Sequence, residues 1–178
     1  MKDGTKDFLK ASSIDWKVSL VDTGKSSMTG GRILRLKEYL KNETFMLTYG
    51  DGLANINIKK LLSFHKRVKK IATLTAVRPP VRFGELSLKG NIVRKFEEKP
   101  KLSRGWINGG FFVLEPSVLD LINNDQCTWE DKPLKTLAEN NQLSAYFHEG
   151  FWQPMDMLKD KNFLEELWNS SNPPWKCW

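Results

Sequence analysis

Thr44-Phe45-Met46-Leu47-Thr48-Tyr49-Gly50-Asp51-Gly52 runs a continuous apolar and β-favouring segment into an abrupt Gly-Asp-Gly stop. A short run of this kind, bounded by turn residues, suits a strand buried on both faces of a parallel sheet. Downstream, Ile58 to Lys70 places Ile58, Leu61, Leu62, His65 and Val68 on one helical face, with six Lys and Arg residues around the rest. Ile71-Ala-Thr-Leu-Thr-Ala-Val77 then reads as a second strand, stopped by Pro79-Pro80. Strand, helix and strand in this order predict βαβ units and a mostly parallel sheet.

Upstream, Trp16 to Val21 alternates apolar and polar residues, the pattern of a strand. Ser26 to Gly31 is a small-residue loop opening into a helix that carries Ile33, Leu36, Tyr39 and Leu40, with Thr29 as its cap. From Phe83 the pattern changes to a hairpin, 83–88 and 92–96 around Lys89-Gly90. A strand over Trp106–Leu114, a helix from Pro116, a helix over Pro133–Glu139, a strand over Leu143–His148 and a helix over Met157–Trp168 follow. The tail with Pro173, Pro174, Trp175 and Trp178 is expected to pack, since exposed Trp is costly.

The chain has 178 residues, enough for one ordinary domain and too few for two independent ones. Seven Trp and ten Phe exclude a disordered tail. The net charge of +7 is unevenly spread: residues 1–100 carry 21 basic and 10 acidic side chains, and residues 101–178 carry 7 and 11. A basic first half is compatible with nucleic acid, an anionic membrane face or a phosphorylated small molecule. The basic helix has an apolar stripe that explains it without a partner, and no aromatic-basic motif accompanies it, so nucleic acid is not expected. Cys127 and Cys177 form no C-x-x-C pair, and His65 and His148 stand at no ligand spacing. Both histidines read as structural. No signal-peptide pattern and no apolar run of membrane-spanning length occurs, so a cytoplasmic protein with no membrane contact is expected.

Several residues admit two readings. Asp51, between Gly50 and Gly52 after a strand, is either a D-G turn or a carboxylate at the ligand-binding end of a sheet, placed to hold Mg²⁺. Asp156 is either a helix N-cap or a second such carboxylate. Glu97-Glu98-Lys99-Pro100 is either a solvated turn or part of a sugar-phosphate pocket, with Lys99 on the phosphate and Glu98 on hydroxyls. Asn108-Gly109-Gly110 is either a β-bulge or a close backbone approach to ligand.

Taken in order, these features resemble one family, the glucose-1-phosphate cytidylyltransferases, which are sugar nucleotidyltransferases. The similarity runs from about Trp16 to Trp178. It rests on Leu20-Val-Asp-Thr-Gly24, Ser27-Met-Thr-Gly-Gly-Arg32, Thr48-Tyr-Gly-Asp-Gly52, Ala72-Thr-Leu-Thr-Ala76, Arg82-Phe-Gly84, Phe96-Glu-Glu-Lys-Pro100, Ile107-Asn-Gly-Gly-Phe-Phe-Val113 and Gly150-Phe-Trp-Gln-Pro-Met-Asp156. The resemblance implies an α/β, Rossmann-like and glycosyltransferase-A-like fold: a mixed, mostly parallel sheet with flanking helices, lacking the first βα units. Residues 1–15 match the family poorly, and 16–178 would form one partial domain. It further implies Mg²⁺-dependent attack by glucose 1-phosphate on the α-phosphorus of CTP, giving CDP-glucose and pyrophosphate. Asp51 and Asp156 would hold the metal and act in catalysis with Lys99. Arg82, Gly84, Glu98, Asn108 and Gly109 would bind glucose 1-phosphate, and Thr29 and Gly30 would lie near the base.

One departure matters. The family's G-G-x-G-T-R loop, whose backbone N–H groups cradle the triphosphate, does not occur in this sequence. Impaired turnover is therefore expected, with a non-catalytic sugar-phosphate-binding or oligomer-forming protein as the alternative and a nucleic-acid-binding protein as a third reading. Sheet edges left unpaired also predict a homo-oligomer, or strand replacement by residues 1–13.

Overall fold

The computed structural model describes residues 17–80, 85–97, 105–170 and 172–176, the side chains of 85–88 and 97 excepted. A four-stranded sheet, ordered β1 (Phe45–Thr48), β6 (Ile107–Leu114), β3 (Ala72–Val77), β7 (Leu143–His148), forms the centre. β6 runs antiparallel to β1 and to β3, while β3 and β7 are parallel. Three of the four strands thus point the same way in the mixed α/β sheet that the resemblance implies, but two of its three ladders are antiparallel, because β6 runs against both neighbours where strand–helix–strand patterning predicts mostly parallel pairing. Two small antiparallel ladders flank it: β2 (Gly52–Ala54) with β8 (Trp152–Pro154), and the expected hairpin β4 (Glu85–Lys89) with β5 (Ile92–Glu97).

β3 is buried along nearly its whole length because the sheet has helices on both faces. On one face α3 (Ile58–Val68) lays down Leu61 beside Val113 and Ile56. Phe64 meets Tyr146 edge-on, with ring centroids 5.5 Å apart. His65 is buried and bonded at both nitrogens, to Thr73 Oγ1 at 2.8 Å and Glu115 Oε1 at 3.0 Å, which is the structural histidine expected. The Asn57 side chain caps α3 by accepting from the Lys60 N–H, and the helix stops at Val68 because Lys69 turns into the left-handed region at φ 52°. The other face is covered by α1 (Thr29–Arg35), a 3₁₀ turn (Pro116–Leu121) and α4 (Lys132–Glu139), around Phe112, Leu114, Trp129 and Leu137. The 3₁₀ turn stands where a helix is expected from Pro116. Among the described residues the remaining helices are α2 (Lys37–Leu40) and α5 (Leu158–Asn169).

Four expectations need correction. Residues 17–24 form no strand, and Val18 and Leu20 are exposed: period-2 alternation becomes a strand only where a ladder partner exists. β1 is covered on one face, not two. Phe45 and Leu47 join the core, while Met46 is 43% exposed on an edge strand. Thr29 does not cap α1; that position is Met28, with no side-chain cap. Instead the N–H groups of Met28 and Gly31 bond the carbonyls of Asp125 and Cys127, and a Cβ at Gly30 or Gly31 would lie 2.7 Å from Cys127 O or 2.4 Å from Asp125 O. The paired glycines let the 125–127 backbone close over the start of the helix. Asp156 does not cap α5: Met157 holds that position, and its N–H donates to Asp160 Oδ2 at 3.1 Å. Trp175 packs as expected, buried and 5.5 Å from the Phe151 ring.

Candidate active site at the strand ends

The C-termini of β1, β3 and β7 and the N-terminus of β6 share one end of the sheet, so Asp51 and Asn108 emerge together where α/β sheets bind ligands. Neither sheet strand carries Asp156. It arrives through the β2·β8 ladder, whose register pairs Gly52 with Pro154, Leu53 with Gln153 and Ala54 with Trp152. The Met155 N–H donates to Asp51 O at 2.8 Å, extending the ladder by one step. Asp51 therefore stands opposite Met155, and Asp156 is the next residue along. Both carboxylates are exposed.

β8 is itself pinned to the sheet. The Trp152 indole N–H donates to Gly109 O at 2.8 Å. Gly109 and Gly110 lie where β6 bulges: between Leu74 and Ala76 the partner residues jump from Phe112 to Asn108. Of the two readings of Asn108-Gly109-Gly110, the bulge is present, and it coincides with close backbone packing. A Cβ on Gly109 would lie 2.6 Å from Val77 Cγ1, and one on Gly110, at φ +77°, would lie 2.5 Å from Tyr49 Cδ2. The close approach is to protein atoms.

Beside Asp51 opens a cleft of ≈ 520 Å³ between β1 and α1, with Thr29, Tyr49, Gly50 and Glu130 in its walls. A polar chain crosses it. The Thr29 hydroxyl donates to Glu130 Oε2 at 2.7 Å and accepts the Trp129 N–H at 2.9 Å. The Tyr49 hydroxyl donates to Glu130 Oε1 at 2.6 Å and accepts from Asn108 Nδ2 at 3.2 Å. Burial first, then the bond to Glu130, pushes the Tyr49 phenol well above its ordinary pKa, so it stays protonated and a donor. On the far side of α1, Arg35 pairs with Asp125, whose carboxyl the guanidinium holds below the usual range.

The structure thus brings Asp51, Asp156, Asn108, Gly109 and Thr29 to one end of the sheet. Gly30 is buried against Cys127 and is not among the cleft-lining residues. Arg82, Gly84, Glu98 and Lys99 lie outside the described residues. Sequence reasoning missed Tyr49, Glu130 and Trp152. Glu130 lies in no motif, and a three-residue ladder such as β2·β8 is too short for any periodicity. Among the described residues no group of three or more His, Cys, Asp or Glu could hold a metal ion. No helix among the described residues is long and apolar enough to cross a membrane.

The family model described as nucleotidyl transferase matches residues 11–161, and the chain belongs to that family. Among curated proteins, it is 58% identical over 164 residues to the glucose-1-phosphate cytidylyltransferase of Salmonella typhimurium and to that of Salmonella typhi. Each match covers 92% of this chain and 64% of the relative's length. Among solved structures, the crystal structure of HddC from Yersinia pseudotuberculosis superposes with a TM-score of 0.59 at 19% identity, covering 82% of this chain and 64% of that one. A UDP-glucose pyrophosphorylase complexed with UDP-glucose does so with a TM-score of 0.56 at 16% identity, covering 83% and 66%. At such identities the structures speak for the fold alone.

Proposed function

We propose that this chain provides the sugar-phosphate and metal half of a nucleotidyltransferase site, with glucose 1-phosphate as the sugar phosphate and CTP as the nucleotide. One observation carries the reading: the β2·β8 register seats Asp51 and Asp156 one step apart at the end of the sheet from which Asn108 also emerges. Identity of 58% to glucose-1-phosphate cytidylyltransferases supports the choice of substrates. Asp51 and Asp156 would hold Mg²⁺, which when bound neutralises phosphate charge. The chain's own residues bind and orient. By resemblance, Asn108 and Gly109 would meet the hexose with Gly84 and Glu98, Lys99 and Arg82 would balance the phosphate, and Thr29 would border the base, while Gly30, buried against Cys127, would act only by shaping the backbone there. Transfer of this type is largely positioning and charge compensation. In the reaction, a phosphate oxygen of glucose 1-phosphate bonds to the α-phosphorus of CTP while the bond to pyrophosphate breaks.

A second reading is binding without turnover. Pyrophosphate release from CTP and glucose 1-phosphate with Mg²⁺ distinguishes the two. Release supports transfer. Silence together with glucose 1-phosphate binding supports the half-site, and silence with no binding of either ligand defeats both.

A further inference from the structure

Glu130 sits just before α4, and no motif contains it. Its two carboxylate oxygens nevertheless take hydrogen bonds from two different elements: Oε1 from the Tyr49 hydroxyl after β1, Oε2 from the Thr29 hydroxyl at the start of α1. An ionised carboxylate only accepts, so both hydroxyls must donate. Tyr49 has one proton, and it is committed to Glu130. Its oxygen can then only accept, which requires the Asn108 amide to present nitrogen rather than oxygen at 3.2 Å. At the other end of that amide, Oδ1 accepts the Gly110 N–H at 2.9 Å. Both ends therefore select the same orientation, leaving Asn108 one amide hydrogen and one oxygen lone pair for a ligand.

We infer that Glu130 is a positioning residue for the sugar phosphate: through Tyr49 it fixes which way the Asn108 amide meets the hexose. The inference rests on the reading that Asn108 contacts the hexose of glucose 1-phosphate. Through Thr29, the same carboxylate ties the base side of the cleft to the sugar side. The role is recognition of hydroxyls, so it bears on the sugar and not on the phosphate.

Calorimetric titration of glucose 1-phosphate and, separately, inorganic phosphate, each with Mg²⁺, tests this on the full chain, Glu130→Ala, Tyr49→Phe and the double variant. Glu130 is exposed, and Tyr49→Phe removes a single oxygen, so one variant covers for a failure of the other to fold. Loss of one oriented hydrogen bond predicts glucose 1-phosphate binding weakened roughly five- to tenfold in each single variant, with phosphate binding within about twofold of the parent. Because both act through one path, the double variant should be no weaker than the weaker single one. Unchanged glucose 1-phosphate affinity, equal weakening of both ligands, or additive losses would each overturn the inference alone. A parent chain that binds no glucose 1-phosphate would overturn the functional reading, and the inference with it.

Discussion

Replacing Gly110 by Ala separates two costs that the structure predicts with different sizes. Gly110 and Gly90 both have positive φ, +77° and +59°. At Gly90 an added Cβ meets nothing within 4 Å, so Gly90→Ala should cost only backbone strain, about 1 kcal/mol. At Gly110 the same strain is joined by a Cβ 2.5 Å from Tyr49 Cδ2. The Tyr49 ring is packed against Phe112 with centroids 5.8 Å apart, and its hydroxyl is held at Glu130 and Asn108. It cannot retreat without breaking those bonds, and overpacking of this kind costs about 1–3 kcal/mol more. For a domain of this size each kcal/mol lowers Tm by roughly 2–4 °C. Thermal unfolding followed by circular dichroism should then show a fall of roughly 2–4 °C for Gly90→Ala and roughly 4–16 °C for Gly110→Ala. In a Tyr49→Ala background, substitution at Gly110 should cost no more than at Gly90. Equal shifts for the two glycines in the parent background would refute the packing argument.

Trp152→Phe removes the indole N–H that Gly109 O accepts, and should cost about 1–2 kcal/mol in thermal unfolding. Because β8 leads directly into Asp156, Mg²⁺-dependent glucose 1-phosphate binding should weaken in the same variant, and full retention of binding would detach Trp152 from the site. Asp51→Asn should abolish Mg²⁺-dependent glucose 1-phosphate binding by calorimetry, and unchanged binding would remove Asp51 from the proposed metal site. Among the described residues β1 ends the sheet, with Met46 turned to solvent, and such an edge should promote self-association, read as a mass above the monomer by light scattering. A stable monomer with that edge open would count against the homo-oligomer expected from the sequence.

Much of the architecture was legible in the sequence because long periodic segments report their own surroundings. Ile58 to Val68 shows the 3.6-residue stripe that buries Leu61 and His65, and Ala72 to Val77 shows the unbroken small and β-branched run of a central strand. Trp16 to Val21 misled because alternation states a preference and not a partner. Thr29 looked like a cap, yet its hydroxyl serves Glu130 and the Trp129 N–H, both a hundred residues further along the chain. Of the candidate site, Asp51 and Asn108 were visible as polar residues at strand ends beside glycine. The β2·β8 pairing and the Glu130 bridge were not, because each joins residues about a hundred positions apart through elements too short to have a period.

The most direct test of the central claim is calorimetric titration of glucose 1-phosphate into the full chain with Mg²⁺ and again with the metal chelated. A sugar-phosphate half-site organised by Asp51 and Asp156 predicts saturable binding with Mg²⁺ that is lost on chelation. Absence of binding in both conditions, or binding indifferent to Mg²⁺, would contradict it.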